Sequence, residues 1–436
     1  MSGFSYYSRK EYHKAMLQCL RRSNVIFVIG ARVTGKSSFA ARMKGFIQRH
    51  AEEDTHVGYI NFERCDRARI DVEELVSSFH AHYAAGSSNV FLVDEVTHLI
   101  DWENGVNEVM KQGNVKIVFF SSTRSVVSDK LDAVREGSYE ILEMLPFSLS
   151  EFIAFHGFKE ENTAQKLSPK KTYLDEDDNL WTLEDIYNRY SLAGGLPVYE
   201  KGMLSPERCM SVADGAYCAM VTHDILEVGC RSSRSAITDP LLLRCIITIM
   251  AKNVGAHISA TWVGKQTYEY LQRTSSTKTI ESYMNAVLNA NLFHIAERLD
   301  IVTGQKLKTL PKYYMVDTCL HNFVTCNQCG SQAKLLENQV FFELMRMGCR
   351  VYNGKLGASE VTFVAENGVN RAYVQVVDAL NESNMRAVLQ PLRKIKDNYP
   401  KMVVCREGVT RKTGDGIFIT NGIEFLMGWP MNNIEK

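Results

Sequence analysis

The chain has 436 residues, 45% of them apolar, enough for several packed cores and roughly two to four domains. Its 50 basic side chains balance 50 acidic ones, which excludes a globally basic nucleic-acid or membrane-surface protein and leaves only a local basic face open. No apolar run approaches the roughly 20 residues of a bilayer span. The start, Met1 to Lys10, carries no hydrophobic signal core. A cytoplasmic chain with no membrane partner is expected. The eleven cysteines are scattered and odd in number, so they read as reduced thiols. Cys326 and Cys329 form a C-x-x-C with no second pair nearby, which reads as a loop rather than a zinc or redox site.

In chain order, residues 9–23 carry Tyr12, Ala15, Met16, Leu17 and Leu20 at helical spacing and predict an amphipathic lead-in helix. The apolar run Val25 to Ile29 predicts a buried parallel strand, and Ser38 to His50 a helix. Between them stands Gly30-Ala31-Arg32-Val33-Thr34-Gly35-Lys36-Ser37, which reads G-x-x-x-x-G-K-S in the strand–loop–helix context that this motif requires. The glycines let the backbone wrap closely around a polyphosphate, and the helix N-terminus adds partial positive charge. Residues Gly30 to Ser38 are therefore the expected ATP-binding set. Lys36 is placed for the β- and γ-phosphates and the Ser37 hydroxyl for Mg²⁺.

Residues 57–62 predict a second strand ending at Glu63, and residues 71–85 a helix with Asp71 as its cap. Asn89 to Val93 then leads into Asp94-Glu95, an apolar strand ending in two carboxylates. Asp94 is expected to hold the metal and Glu95 to polarise the attacking water as general base. The strand Val115 to Phe120 ends in Ser121, Ser122 and Thr123. Ser121 and Ser122 are candidates for sensing the terminal phosphate; a hydroxyl-rich turn capping the next helix is the alternative.

The order of Ser121-Ser122-Thr123, Tyr139 to Phe152 (with Leu145-Pro146-Phe147-Ser148) and Gly194-Gly195-Leu196-Pro197 resembles a prokaryotic family of AAA-type P-loop ATPases. Members of that family carry a winged-helix region and a C-terminal PD-(D/E)xK nuclease-like domain. The resemblance implies an α/β ATPase with a parallel sheet over residues 1–155 and a helical lid over 156–239. It further implies a winged-helix-like domain over 240–316 and a nuclease-like domain over 317–436. The family writes Gly-Arg before the Tyr-x-Glu-Ile strand, where this chain has Gly137-Ser138. Arg135 and Arg124 are the two candidates for that arginine's phosphate contact, with Arg135 placed beside Glu95, Lys36 and Ser122 in the catalytic set.

Within the middle region, residues 159–180 are polar and charged and predict a mobile loop. Helices are expected at 240–253 and 277–290, with strands at 291–298 and 306–315. In a winged helix, residues 277–290 would take the DNA-reading position, with Lys278, Asn285 and Asn289 facing outward and Glu281 opposing phosphate. Lys265, Arg273, Lys306 and Lys308 would add phosphate contacts. At the C-terminus, Glu337 opens a helix, strands are expected at 358–364 and 371–377, a helix at 390–398 and a strand at 402–405. Glu337 matches one acidic position of the nuclease pattern, but Thr362 stands where the metal-binding Asp belongs and Val377 where the Lys belongs. Neither can do the chemistry, so this domain is expected not to cut; binding nucleic acid, binding a protein partner and simply covering the ATPase are the alternatives left open. Monomer and homo-oligomer both remain open.

Overall fold

Strand β1 (Val25–Ile29) is buried along its whole length. Such a run stabilises only when both of its faces are covered. Its neighbours supply the cover. The computed structural model describes residues 8–50, 54–62, 72–99, 101–161, 171–197, 205–227, 237–326, 332–408 and 410–428. These residues divide into two units. The first comprises the described parts of Met1–Leu145, Cys218–Ala236 and Asn289–Asn291. The second holds the rest, from Pro146 to Tyr217, Ile237 to Leu288 and Leu292 onward.

The first unit is built on five strands in the order β2-β3-β4-β1-β5, with β2 (Thr55–Asn61), β3 (Ser88–Asp94), β4 (Val115–Ser121) and β5 (Tyr139–Glu143). All pairs are parallel. Alternate residues divide between two cores, as the two-residue period of a strand requires. Phe27, Ile29, Phe91, Val93, Ile117 and Phe119 pack on one face with Phe79 and Trp102. Ile26, Val28, Leu92, Val118 and Phe120 pack on the other with Met16, Phe39 and Met43. These last three come from α1 (Lys10–Arg22) and α2 (Lys36–His50). Each large side chain so buried contributes about 2–3 kcal/mol. In sequence β4 follows β3; in the sheet it lies between β3 and β1. Ile29 therefore sits beside Ser121, and Asp94 beside Phe120, at one carboxyl edge. In open parallel sheets that edge is where ligands bind.

The second unit contains an eight-stranded mixed sheet. The hairpin β9 (Phe293–Asp300) and β10 (Lys306–Met315) continues through β11 (Arg350–Leu356), β12 (Ser359–Asn367), β13 (Asn370–Ala379), β14 (Lys401–Glu407), β16 (Phe418–Asn421) and β15 (Arg411–Lys412). β9 pairs in parallel with β11 through Asn353, Gly354 and Lys355. The division expected at residue 317 thus falls inside one continuous sheet, because backbone hydrogen bonds cross it.

Two further local differences stand out. Residues 159–180 contain strand structure: β6 (Lys159–Glu160), β7 (Thr172–Leu174) and β8 (Leu180–Thr182) form a three-stranded sheet, and residues 162–170 lie outside the described residues. Its acidic turn is ordered by Asp175, whose carboxylate accepts from Asp177 N, Asn179 N and Trp181 Nε1. The helix expected at 390–398 runs from Glu382 to Lys394, started by an Asn381 capping box. Cys326 is exposed at a helix end, while Glu63, Asp71 and Cys329 lie outside the described residues.

Candidate nucleotide site

The loop after β1 takes a conformation that few sequences tolerate. Val33 and Gly35 have φ of 62° and 91°, the left-handed region where a β-branched residue is rare. Positive φ in such a loop bends successive amides into an anion-binding nest. Gly30 has no room for a side chain, since a Cβ there would stand 2.1 Å from the Met144 carbonyl oxygen. Thr34 Oγ1 donates to Ala31 O at 2.8 Å and closes the turn. Lys36 begins α2 and is folded over the loop, its Nζ donating to Gly30 O at 2.8 Å and Ala31 O at 2.9 Å. Burial pushes its ammonium below the ordinary range, opposed by the carboxylates of Glu95, Asp224 and Asp94. Ser37 and Ser38 are exposed on the first turn of α2.

At the same edge, β3 delivers Asp94 and Glu95. Asp94 is fully buried and its Oδ2 accepts from the Tyr59 hydroxyl at 3.1 Å. Glu95 has φ of 55°, a strained backbone of the kind that concentrates at functional sites. Its carboxylate is buried and accepts from the Ser122 amide at 3.1 Å, with the Ser122 hydroxyl oxygen 3.4 Å from its other oxygen. Burial pushes the Glu95 carboxyl up to about 7, although the Lys36 ammonium pulls the other way. A carboxylate there is a base poised near neutrality. Of the two sensor candidates, Ser122 touches Glu95, whereas the Ser121 hydroxyl is turned to Thr123.

Sequence reading missed three residues that complete this edge. Asp224 lies on a π-helical stretch, Met220–Glu227, and its side chain is fully buried. Arg32 Nε donates to both of its oxygens at 3.1 Å, and Arg32 Nη2 to Oδ1 at 2.8 Å. The Ser122 hydroxyl donates to the same Oδ1 at 2.7 Å. Asn291 Nδ2 donates to Ser122 O at 2.8 Å, and Tyr59 holds Asp94 as described. The available signal for Asp224 was an acid inside the apolar text Ala219-Met220-Val221-Thr222-His223-Asp224-Ile225-Leu226. Nothing in the sequence announces that this stretch meets residues 102 and 192 positions away.

The arginine assignment needs correction. Arg135 ends the short helix Asp132–Arg135, which precedes β5, and β5 begins opposite Val25 at the start of β1. The phosphate loop follows the far end of β1, five residues and roughly 15 Å along the strand. Arg135 is exposed and pairs with Asp132. It does not reach the loop of its own chain. Arg124 follows β4 at the correct edge, but its guanidinium is engaged by Glu143. The arginine that the fold brings to the site is Arg32, from within the loop.

The residues fit Mg²⁺. Ser37 and Asp94 would hold such an ion through the hard oxygen donors it takes. Among the described residues no group of three or more His, Cys, Asp or Glu could hold a metal ion, as a site of that shared kind requires. Farther along, the nuclease-pattern residues are engaged in internal contacts. Glu337 Oε1 accepts from Tyr314 OH at 2.8 Å, and Lys312 Nζ lies 2.7 Å from Glu360 Oε1 and 3.4 Å from Glu337. The Thr362 hydroxyl accepts from Val376 N at 3.2 Å, and Val377 packs into the apolar core.

Comparison with known proteins agrees at the first unit. Residues 22–153 match the family described as AAA domain. An uncharacterized protein of Haemophilus influenzae is 25% identical over 422 residues, covering 96% of this chain and 98% of its own. A Walker-type ATPase of Pyrococcus abyssi covers 73% of this chain and 96% of its own at 12% identity and a TM-score of 0.47. The Orc1 protein of Aeropyrum pernix, solved with DNA, gives 75%, 94%, 12% and 0.31. Structural likeness that distant carries no argument about activity. Residues 22–153 thus resemble an AAA domain, and their parallel sheet order and loop conformation agree with that likeness. No described helix is long and apolar enough to cross a membrane.

Proposed function

We propose that the protein hydrolyses ATP with Mg²⁺ and uses the cycle as a conformational switch. The observation that carries this reading is the Glu95 carboxylate, buried on the Ser122 amide at the sheet edge beside Asp94 and the phosphate loop. In this role Lys36 leaves its two loop carbonyls for the β- and γ-phosphates. Glu95 accepts the proton of the attacking water, and Ser122 holds Glu95 in line. Ser37 and Asp94 would hold Mg²⁺, which when bound neutralises phosphate charge. Phosphate release measured for the wild type, Lys36→Ala and Glu95→Gln tests the assignment. Removing the base should lower kcat by about 100-fold or more, and removing the lysine should abolish nucleotide binding. A wild type that neither binds nor hydrolyses ATP overturns the reading.

A second reading is a nucleotide-gated regulator of DNA that hydrolyses slowly. Arg135 at the opposite sheet edge favours it, since no arginine of that segment reaches the loop in its own chain. In this reading helices Pro240–Lys252, Ala260–Leu271 and Thr277–Asn289, followed by the β9–β10 hairpin, would serve as a winged helix. Lys265, Lys278, Asn285 and Lys308 are exposed there. Stimulation of phosphate release by duplex DNA, lost in Lys278→Glu, would support it. The internal contacts made by Glu337, Thr362 and Val377 speak against cleavage by the C-terminal region.

A further inference from the structure

Three carboxylates and two cationic side chains meet at the carboxyl edge of the parallel sheet. The reading above uses Asp94, Glu95 and Lys36. It leaves Asp224 and Arg32 unexplained, and these two form a bidentate ion pair. The guanidinium addresses both carboxylate oxygens through Nε and Nη2, with side chains 13% and 0% exposed. Such a bidentate fork fits carboxylate and phosphate alike. The second donor to Asp224 is the hydroxyl of Ser122, at 2.7 Å. An arginine within the loop and a hydroxyl at the end of the neighbouring strand are the donors a terminal phosphate would require. Asp224 holds both.

We propose that Asp224 is an internal competitor for the terminal phosphate, latching Arg32 and Ser122. A nucleoside triphosphate opens the latch, and Arg32 then becomes the in-chain arginine on the γ-phosphate. This rests on the reading of the loop as an ATP site. Charge supports the exchange. With Glu95 ionised, the five groups carry one surplus negative charge, and a magnesium triphosphate adds more at the same place. Like charges brought together in a buried site repel strongly, so the displaced group is the one with somewhere to go. Asp224 is on the only π-helical stretch among the described residues, a geometry frequent where a helix rearranges at a functional site. Ser122 is fixed independently by Glu95 on its amide and Asn291 on its carbonyl, so it stays when Asp224 leaves. A diphosphate lacks the displacing group and leaves the latch closed.

The test compares affinities of the full-length wild type, Asp224→Asn, Asp224→Ala and Arg32→Ala for a non-hydrolysable magnesium ATP analogue and for ADP. Asp224→Asn keeps the shape and removes the charge. It should tighten the analogue by about tenfold, within the usual range of coupling between sites, and change ADP by less than about threefold. Arg32→Ala should remove the preference for triphosphate. Hydrogen exchange over residues 218–227 should rise with the analogue and not with ADP. Folding of each variant is checked by its melting curve. If Asp224→Asn misfolds, the exchange measurement on the wild type decides. A folded Asp224→Asn that binds the analogue no tighter, or wild-type exchange unchanged by it, overturns the latch. A wild type that binds no nucleotide, matching Lys36→Ala, overturns instead the ATP-site reading.

Discussion

Glu95 concentrates the chemistry of the site in one titration. Burial is the larger influence and lifts its carboxyl to about 7, with Lys36 opposing. A general base works only when ionised. kcat/KM, which reports the enzyme before it takes up substrate, should therefore rise with pH through about 7 and level off above it. Below that value the protonated carboxyl holds no base, and activity should fall about tenfold per pH unit. A profile of phosphate release between pH 5.5 and 9 checks this, and a flat profile would remove Glu95 from the base role. Asp94 and Glu95 were legible from the sequence because a strand ending in two acids has few other uses beside a phosphate loop. The Ser122 partnership was half legible: the strand end named two serines, and only the positions of Glu95 and Asp224 choose between them.

At the scale of an element, the break at Gly194-Gly195 shows how a short motif encodes a junction. The helix Leu183–Ala193 starts from a Thr182–Asp185 capping box and ends at Gly194, with φ 72° and ψ −169°. That region is essentially reserved for glycine. A Cβ on Gly194 would also stand 2.2 Å from Asp317 Oδ1, and one on Gly195 2.3 Å from Phe147 O. Asp317 accepts from Gly195 N at 2.7 Å while capping the helix Thr318–Thr325. Two helices thus share one carboxylate through a glycine pair. Gly194→Ala should lower unfolding stability by about 3 kcal/mol, from backbone strain and overlap together. The urea midpoint measures it; a shift worth less than about 1 kcal/mol would show that the junction relaxes. The need for glycine was visible in the motif. Its cause was not, because Asp317 is 122 residues away.

At the scale of the whole molecule, the eight-stranded sheet decides which segments fold together. A fragment cut at the expected boundary, residues 317–436, loses β9 and β10 and leaves β11 as a bare edge. It also loses Lys312, itself buried, which bridges Glu337 and Glu360. Burial alone would raise the Glu360 carboxyl; Lys312, with His257 and Asn353, overcomes this and holds it at about 2. Without the lysine, Glu360 loses its close cation, and Glu337 keeps only Lys334, which destabilises this part of the fold. The fragment should therefore be unfolded or aggregated by far-ultraviolet circular dichroism and size exclusion. A monomeric fragment with a cooperative melt would contradict this account.

The sequence by itself determined the phosphate loop, its strand and helix, the acidic end of β3 and the hydroxyl end of β4. These are local patterns, and each residue's role depends on neighbours a few positions away. Only the tertiary structure decided that Arg135 lies at the wrong edge of the sheet, that Arg32 faces Asp224, and that Lys312 joins two acids from separate elements. The physical reason is the same each time. A parallel sheet inserts β4 between strands distant in sequence, and a sheet can pair strands across an expected domain boundary. Which charges then meet is set by strand order, and strand order is not written in any local stretch of the chain.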